Sequence, residues 1–469
     1  MTIKKKKLLL INPANQRRRG LRMRNLSTYP PLNLAIIAGL TPDNWEIKIL
    51  DENFDTFAFE EADLVGFTSF TSTCARAYEL AEIFKAHSIP TVMGGIHASM
   101  MPDEALKFVD AVVIGEAESI WHKLIEDVEN STLQKIYRGE LVELGGKPMP
   151  RHDLLSKEYA FSSVQTTRGC PMQCDFCSVS TFNGCQYRFR PISEVLDELE
   201  QMPTKLVFFC DDNIIGYGKI GQQRAIELFK GIVERGIKME WAGQVSLNFA
   251  DNEEVLKWAA KSGCRIVLIG IESEKPEQLA EAGKKLNLKM GVDAYAGVFK
   301  KIHKYGINVL GAFIFGLDTD TRQSLYDRAQ YIIDSSVDAW QTTILTPLPG
   351  TGLYKRLLEE NRIVYTDYPA DWSRYDFAEP VIVPARMGTE ELKVTMKDIW
   401  LKLYNRKTVR KQFKRSLWNL RSIKKAMWGY VSNYNYYCLF FENEILAGDP
   451  RYSHWIVSEK AAKNAPPSA

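Results

Sequence analysis

Hydrophobic positions in the first 150 residues follow two alternating periods. Short apolar runs of the kind found in buried strands are separated by longer stretches in which apolar residues recur every three or four positions, as on one face of a helix. The predicted strands cover residues 8–11, 45–50, 63–67, 91–93 and 110–114, and the predicted helices cover residues 32–40 and 75–86. This alternation predicts a doubly wound parallel sheet of the α/β class.

Segments that directly follow the predicted strands are candidates for ligand binding, because ligands of such sheets sit beyond the carboxyl ends of the strands. These segments are residues 12–29, 68–73, 94–101 and 115–118. Gly94 and Gly95 have no Cβ and let the backbone approach a ligand closely, although a tight strand-to-helix turn explains them equally well. They do not form the GxGxxG pattern of nicotinamide sites. His97 is a candidate ligand, but a lone histidine beside a turn more often makes a hydrogen bond.

A second set of apolar runs lies beyond residue 200. Residues 205–209, 265–271 and 308–315 are predicted to be buried parallel strands, separated by helical stretches such as 222–235 and 290–305. Polar residues follow these strands and would face a common opening, as in a barrel active site. The 469 residues are too many for one hydrophobic core. We predict three domains, at 1–150, 151–380 and 381–469.

Composition narrows the class of protein. Hydrophobic residues make up 45% and charged residues 25%, which is typical of a globular chain. A net charge of +2 excludes a chain that binds nucleic acid over its whole surface. No run of about 18 apolar residues is present and the N-terminal apolar run is too short for a signal peptide, so we expect a cytoplasmic protein. Clustered thiols in a reducing compartment more often bind metal than form disulfides.

Three of the eight cysteines, Cys170, Cys174 and Cys177, are clustered with the spacing CxxxCxxC in a loop that contains glycine and proline. A structural zinc site normally has four protein ligands, and no second CxxC pair lies nearby, although Cys185 could be a fourth ligand. Three thiolates suit a 4Fe–4S cluster that leaves one iron open to another ligand. The sequence therefore favours an iron–sulfur cluster.

The spacing of the cysteines, with Phe176 before the last one, resembles the radical S-adenosylmethionine (SAM) superfamily, in which the open iron binds SAM. Further motifs follow in the order of that family: FFCDDN at 208–213, WAGQVS at 241–246, IGIES at 269–273, GAFIFGL at 311–317 and TPLPGT at 346–351. The resemblance implies a partial TIM-type barrel in which the three cysteines hold the cluster. It implies SAM contacts from Phe176, Asp211, Asp212, Gln244, Ser246 and Glu272.

An alternating α/β domain before such a barrel resembles the cobalamin-binding subgroup of the superfamily. The segments YPPLNL at 29–34, GGIHAS at 94–99 and VIGEAE at 113–118 are similar to its strand-end motifs. The resemblance implies a Rossmann-like cobalamin domain with contacts from Ser69, Thr71, Ser72, Gly94, Gly95, His97, Gly115 and Glu116. The Asp-x-His-x-x-Gly motif that places a histidine on cobalt is absent, and His97 follows the wrong strand to replace it. Cobalamin is therefore expected to bind base-off, with its lower face towards residues 12–29.

Residues 381–469 are predicted to form a helical domain, similar to the helical tail of some cobalamin-binding radical SAM proteins. Residues 402–425 contain ten Lys or Arg and no acid, and aromatic residues continue to 441. A solvated helix face with aromatics packed on the barrel, a basic helix at a membrane surface and a nucleic-acid contact are all compatible with this pattern. No RNA-binding motif favours the last, so a peripheral membrane contact through 402–441 is the alternative that we retain.

The resemblance implies an anaerobic cobalamin-dependent C-methyltransferase acting on an unactivated carbon. In such enzymes a 5′-deoxyadenosyl radical from SAM removes hydrogen from the substrate, which then takes a methyl group from methylcobalamin. An electron donor such as flavodoxin or ferredoxin is expected. The substrate stays open among a lipid or other hydrophobic molecule, a tetrapyrrole, a natural-product intermediate and a peptide or protein side chain. Two alternatives are ring or C–C bond formation without net methyl transfer, and a non-catalytic cluster or cobalamin carrier.

Overall fold

The computed structural model describes residues 5–15 and 28–441, except for the side chains of 439–441. The predicted loop 12–29 and the predicted C-terminal domain 381–469 therefore lie partly outside the described residues. Within the described ranges, none of the helices combines the length and the apolar character needed to cross a membrane.

The first domain contains a six-stranded parallel sheet with the strand order β2-β1-β3-β4-β5-β6. Its strands are β1 (Lys6–Asn12), β2 (Trp45–Asp51), β3 (Leu64–Thr68), β4 (Thr91–Gly94), β5 (Ala111–Ile114) and β6 (Ile136–Arg138). Its helices are α1 (Leu32–Leu40), α2 (Cys74–Ala86), α3 (Ile96–Met100), α4 (Pro102–Ala105) and α5 (Trp121–Glu129). Leu9 and Ile11 belong to one apolar cluster and Leu8 and Leu10 to another, so both faces of the sheet are covered. The predicted doubly wound sheet is confirmed.

The second domain contains six parallel strands in the order β14-β13-β12-β11-β10-β7. The six strands of this sheet are β7 (Ser162–Val164), β10 (Leu206–Phe209), β11 (Glu240–Val245), β12 (Cys264–Glu272), β13 (Asn308–Phe315) and β14 (Ala339–Ile344). Two further short strands, β8 (Thr167–Arg168) and β9 (Arg188–Phe189), pair with each other outside it. Its helices are α6 (Val179–Asn183), α7 (Ile192–Glu200), α8 (Gly218–Glu234), α9 (Glu253–Lys261), α10 (Pro276–Glu281), α11 (Lys285–Met290), α12 (Tyr295–Lys304), α13 (Arg322–Asp334) and α14 (Gly352–Glu359). The sheet ends at β7 and β14, which do not pair with each other, so the barrel is partial, as expected. The helix predicted over 290–305 is confirmed as α12, but it begins later, at Tyr295, because Gly291 ends α11 with a φ of 78° that a helix cannot contain.

Barrel strands bury one face and leave the other accessible. In β10, Val207 and Phe209 belong to the main core, whereas Phe208 between them is partly exposed. The register places Gln244 beside Leu268 and Leu268 beside Leu310, so these residues share the concave side. The partly exposed residues on this side are Phe208, Gln244, Leu268, Leu310, Ala312, Gln341 and Thr343. The barrel is therefore an accessible hollow.

Three C-terminal helices, α15 (Thr389–Tyr404), α16 (Arg406–Leu420) and α17 (Ile423–Phe441), pack on the barrel. At the edge strand β14, Asn433 of α17 accepts a hydrogen bond from the Trp340 backbone N–H at 3.2 Å and donates one to the Asp338 carbonyl at 2.9 Å. These bonds satisfy backbone groups that an edge strand would leave unpaired. Trp428 of α17 packs against the concave side and lies 5.8 Å from the Phe161 ring.

Candidate active site

The three cysteines lie in the loop that follows β8. Gly169 opens this loop with a φ of 91°, and a Cβ on it would lie 2.0 Å from the Gln186 carbonyl oxygen, so no other residue fits there. Inside the loop, the Cys177 N–H donates to the Cys174 carbonyl at 3.1 Å. Cys170, Cys174 and Cys177 are all unpaired and partly exposed. Thiols that are held together without a disulfide and open to one side are suited to ligate a cluster.

Burial and a nearby ammonium act in opposite directions on the pKa of the thiols. Burial raises the pKa of all three cysteines, that of Cys177 to about 11. The ammonium of Lys284 acts in the opposite direction on Cys170 and Cys174. A bound cluster would favour the thiolate form of all three, because metal coordination deprotonates thiols. The residues present therefore fit an iron–sulfur cluster.

Lys284 is a site residue that sequence reasoning missed. Its Nζ donates to Glu272 Oε1 at 2.9 Å. Burial opposes the charged ammonium, but Glu272 and the Cys174 thiol hold the pKa of Lys284 above its ordinary value. A Cβ on Gly270 would lie 2.5 Å from Glu272 Oε1 and 2.9 Å from Lys284 Nζ, so this glycine leaves room for the pair. Lys284 follows a helix and not a strand, and no motif marks it.

Asp211 and Asp212 are neighbours in the sequence but have different surroundings. Asp211 is completely buried, and its carboxylate accepts hydrogen bonds from the Thr166 N–H at 3.1 Å and from the Thr167 hydroxyl at 2.5 Å. It therefore anchors the start of the cysteine loop. Asp212 is partly exposed, and burial, opposed by a hydrogen bond from Asn183, raises its pKa to about 6. The structure brings Asp212 near the thiols, while contact of either carboxylate with SAM stays a prediction.

Ser246 follows β11 and is linked to a second missed residue, Tyr217. Its hydroxyl accepts a hydrogen bond from Asn213 Nδ2 at 3.2 Å and lies 3.0 Å from the Tyr217 hydroxyl. Ser246 therefore links Tyr217 to Asn213, which follows β10. Gln244 lies on the concave side of the barrel, as expected of a residue facing the site. Phe176 instead packs on an apolar cluster that joins the two domains.

Glu116 lies at the contact between the two sheets. Its carboxylate forms a bidentate pair with Arg188, at 2.8 and 2.5 Å, and its Oε1 lies 3.5 Å from Arg168. Because Glu116 follows β5 and Arg168 precedes the cysteine loop, the carboxyl end of the first sheet faces the cluster loop. The Met100 side chain, beyond β4, packs in the same way on Gly350, beyond β14. The predicted cobalamin contact of Glu116 competes with this ion pair.

The predicted cobalamin residues around β3 and β4 form a cradle with an unused hydroxyl. Gly95 has a φ of 94°, and a Cβ on it would lie 3.0 Å from Thr68 Oγ1. A Cβ on Gly94 would be in ordinary van der Waals contact with Val113, at 3.8 Å. The Ser69 hydroxyl is buried without a hydrogen-bond partner. A polar ligand lying along this edge would fit both features.

His97 is buried in a hydrogen-bond network. Its Nδ1 lies 3.4 Å from the Thr71 hydroxyl and its Nε2 lies 3.2 Å from Glu104 Oε1. The Trp372 indole packs against the His97 ring and also donates to Glu104 at 3.0 Å. The structure thus agrees with the interpretation of His97 as a hydrogen-bonding residue. Ser72 lies partly exposed in the turn after β3, and Gly115 turns the chain after β5 with a φ of 81°.

Comparison with known proteins decides the family. The family model described as the B12 binding domain matches residues 21–125, and that described as the Radical SAM superfamily matches residues 164–332. The bacteriochlorophyllide d C-12(1)-methyltransferase of Chlorobaculum tepidum is 30% identical over 408 residues, which cover 83% of this chain and 85% of that protein. The chain belongs to the radical SAM enzymes that carry a B12-binding domain.

Two further similarities agree with this assignment. The hopanoid C-2 methylase of Rhodopseudomonas palustris is 30% identical over 362 residues, covering 72% of this chain and 66% of that protein. The radical SAM methyltransferase TsrM of Kitasatospora setae, solved with cobalamin and a [4Fe–4S] cluster, shares the fold with a TM-score of 0.65, at 18% identity and with 85% of this chain and 89% of that chain covered. The chain is thus a radical SAM enzyme with methyltransferases among its relatives, and a non-catalytic carrier is not supported.

Proposed function

We propose that this enzyme is a cobalamin-dependent radical SAM C-methyltransferase that methylates an unactivated carbon of a hydrophobic substrate. The observation that carries the proposal is that the carboxyl ends of the two sheets meet, through Glu116 with Arg168 and Arg188, and through Met100 on Gly350. Ligands held at the two ends would share one space. When bound, SAM on the cluster supplies hydrogen abstraction and cobalamin supplies the methyl group.

Different residues of this chain have different proposed roles around SAM. Cys170, Cys174 and Cys177 would hold the cluster, and Lys284 offsets the negative charge of the thiolates. Asp212, Gln244, Ser246, Glu272 and Phe176 are the proposed SAM contacts, and Asp211 is a positioning residue that fixes the loop. Reduction by flavodoxin or ferredoxin is part of the same proposal.

Cobalamin would bind base-off, without a histidine on cobalt. Both ring nitrogens of His97, the histidine of the strand-end loops 68–73, 94–101 and 115–118, have hydrogen-bond partners. The unpartnered hydroxyl of Ser69 and the glycine pair at the end of β4 support cobalamin binding there without contacting the metal. An absorption spectrum of the bound cofactor tests this, since a base-on or histidine-ligated spectrum contradicts it.

Aromatic side chains in the barrel support a hydrophobic substrate. Tyr29 stacks on Phe208 with ring centroids 4.0 Å apart, and Phe161 lies edge-on to Tyr29 at 5.5 Å. Trp428 continues this row from the C-terminal helices. Stacked aromatic walls favour flat or rigid apolar molecules. The names of two similar proteins, which refer to bacteriochlorophyllide d and to hopanoid, point to the same class of substrate.

The test is mass spectrometry of SAM products made by the anaerobically reconstituted enzyme with hydroxocobalamin, a low-potential reductant and cell extract. Formation of both 5′-deoxyadenosine and S-adenosylhomocysteine only with cobalamin is expected. Deoxyadenosine alone, at a rate that does not depend on cobalamin, would favour ring or C–C bond formation instead. Cys177→Ser should abolish both products, whereas Cys185→Ser, an exposed cysteine near the same loop, should retain them.

A further inference from the structure

The tip of the hairpin formed by α16 and α17 exposes large apolar side chains. Trp418, in the last turn of α16, is 83% exposed, more than any other large apolar side chain in the described ranges. Ile423, the first residue of α17, is 66% exposed, and Met427, one turn further, is 37% exposed. Arg421 and Ser422 join the two helices, so the three side chains lie at one end of the hairpin.

A stripe of cations leads to this tip. Lys407, Lys411 and Lys414 are spaced so that they share a helix face with Trp418, and all three are exposed. Lys407, Lys414 and Arg421 make no ion pair with any described residue, and the carboxylate of Asp334 lies 4.0 Å from Lys411. Residues 402–441 contain no acid. Among the residues that the structure describes, the stripe is therefore a largely uncompensated positive surface.

The opposite face of α16 fixes the hairpin to the barrel. Val409, Gln412 and Leu420 are buried, and Arg415 donates to the Ile333 carbonyl at 2.9 Å. The residues that pack and the residues that are exposed are thus on different faces of one helix. Packing on the barrel explains the first face and leaves the exposed Trp418 unexplained. A solvated basic face would likewise gain nothing from an exposed tryptophan.

We propose that this tip docks on an anionic lipid surface. Trp418, Ile423 and Met427 would enter the headgroup region, and the Lys and Arg residues of the stripe would contact anionic headgroups. Nucleic acid could stack on Trp418 but would leave Ile423 and Met427 without a partner, so the observations favour lipid. The inference is independent of the methyl-transfer reaction.

The docking tip lies on the helix that also contacts the barrel interior. Trp428, next to Met427 in α17, packs against Ala242, Ile266 and Ala339 on the concave side. A membrane bound at the tip would therefore lie close to the hollow that we propose for a hydrophobic substrate. Docking at this place would shorten the path of an apolar molecule from the bilayer to the barrel.

The test is co-sedimentation of the reconstituted full chain with phosphatidylcholine vesicles prepared with and without phosphatidylglycerol. Binding is expected only with phosphatidylglycerol and should weaken at high salt. Trp418→Ser with Ile423→Ser should lower vesicle affinity about tenfold or more. Each neutralised cation in Lys407→Gln and Lys414→Gln should lower it about fivefold. Ile220→Ser, which removes a side chain that is 78% exposed on α8, is the matched control.

Equal binding to both vesicle types, or unchanged binding by the Trp418 and Ile423 double variant, would overturn the proposal. Tighter binding to a single-stranded RNA oligonucleotide would assign the surface to nucleic acid. If the protein did not bind vesicles and an aqueous quencher did not reach Trp418, the proposal would be overturned, and residues 442–469 would be assigned as the segment that covers this side chain. Thermal unfolding and SAM cleavage without vesicles should be unchanged in the variants, which separates this inference from the proposed function.

Discussion

The two parallel sheets of this protein use similar apolar strands but bury them differently. In the first sheet, neighbouring residues such as Leu8 and Leu9 are both completely buried, because helices cover both faces. In the second, Phe209 is completely buried while Phe208 remains partly exposed. The first sheet therefore offers a ligand only its carboxyl edge, whereas the second also offers a concave interior.

The carboxyl edges of the two sheets differ in chemistry as well. Gly94, Gly95 and Gly115 end strands of the first sheet, where bare backbone can approach a cofactor. Asp212 and Glu272 lie at strand ends of the second, where charge surrounds the cysteine loop. The carboxyl edge of the first sheet is therefore suited to hold a large cofactor, and that of the second sheet is suited to hold reactive groups. Mutations at one edge should therefore change the function of that edge and leave that of the other edge intact.

The largest expected effect separates the cluster from cobalamin. Cys170→Ser, Cys174→Ser or Cys177→Ser should each abolish the iron–sulfur absorption and SAM cleavage, because three ligands are the minimum for this cluster. Hydroxocobalamin binding should be retained, because the B12 binding domain matched at residues 21–125 contains the other sheet. The iron content measures cluster assembly, and equilibrium dialysis measures hydroxocobalamin binding. Loss of cobalamin binding in a folded cysteine variant would contradict the separation of the two edges.

Next in size is the loss of a buried ion pair that fixes the end of β13. Arg328 is completely buried, 3.0 Å from Asp320 and hydrogen-bonded to the Ile314 carbonyl. Arg328→Met should lower the free energy of unfolding by about 3–5 kcal/mol, because it leaves a buried charge uncompensated. Arg151→Gln, in an exposed pair with Asp153, is the control and should change little. Urea unfolding of both variants decides the matter.

A smaller effect is expected at the glycine edge. Gly94→Val should weaken hydroxocobalamin binding about 100-fold, because the new side chain would stand at the strand end where we propose that the cofactor approaches the backbone. That loss corresponds to about 2.7 kcal/mol. The cluster should still assemble. Gly297→Val, at an open position on α12, serves as the control for adding the same side chain. Wild-type affinity in Gly94→Val would place cobalamin elsewhere.

The contact between the edges can be tested with a double-mutant cycle. Glu116→Gln and Arg188→Gln should each lower the free energy of unfolding by about 1–3 kcal/mol, because both lose a bidentate charged hydrogen bond. Their combined effect should be at least about 1 kcal/mol smaller than the sum of the two. Strict additivity, measured by urea unfolding, would show that this pair does not couple the domains.

The smallest effect concerns Asp212 and pH. Burial raises its pKa to about 6 in the folded chain, from the ordinary 3.8. The folded state therefore binds more protons than the unfolded state between these values, so stability rises as the pH falls through this window. As the pH falls from 7 to 4, the free energy of unfolding of the cluster-free protein should rise by about 1–2 kcal/mol relative to that of Asp212→Asn. If the free energies of unfolding of the two proteins changed in parallel with pH, the pKa of Asp212 would not be raised.

Several features could be predicted from the sequence because they depend on local spacing. The helix Leu32–Leu40 and the strand Asn308–Phe315 match the predicted bounds, since apolar periodicity follows directly from backbone geometry. The cysteine spacing in one short loop likewise predicts a cluster site, and the assignment of its ligands stays a prediction. The break at Gly291 was missed because a helical period continues across it in the sequence. Asp211 and Asp212 could not be distinguished, since both follow the same strand.

The sequence by itself determined the two α/β sheets and the family, because strand period and motif order depend on neighbouring residues. Only the tertiary structure decided which distant groups meet. It brings Lys284 to Glu272, places Tyr217 beside Ser246, and engages Glu116 with Arg188. Such pairs depend on how the loops at the two sheet edges face each other, and no local period along the chain encodes that.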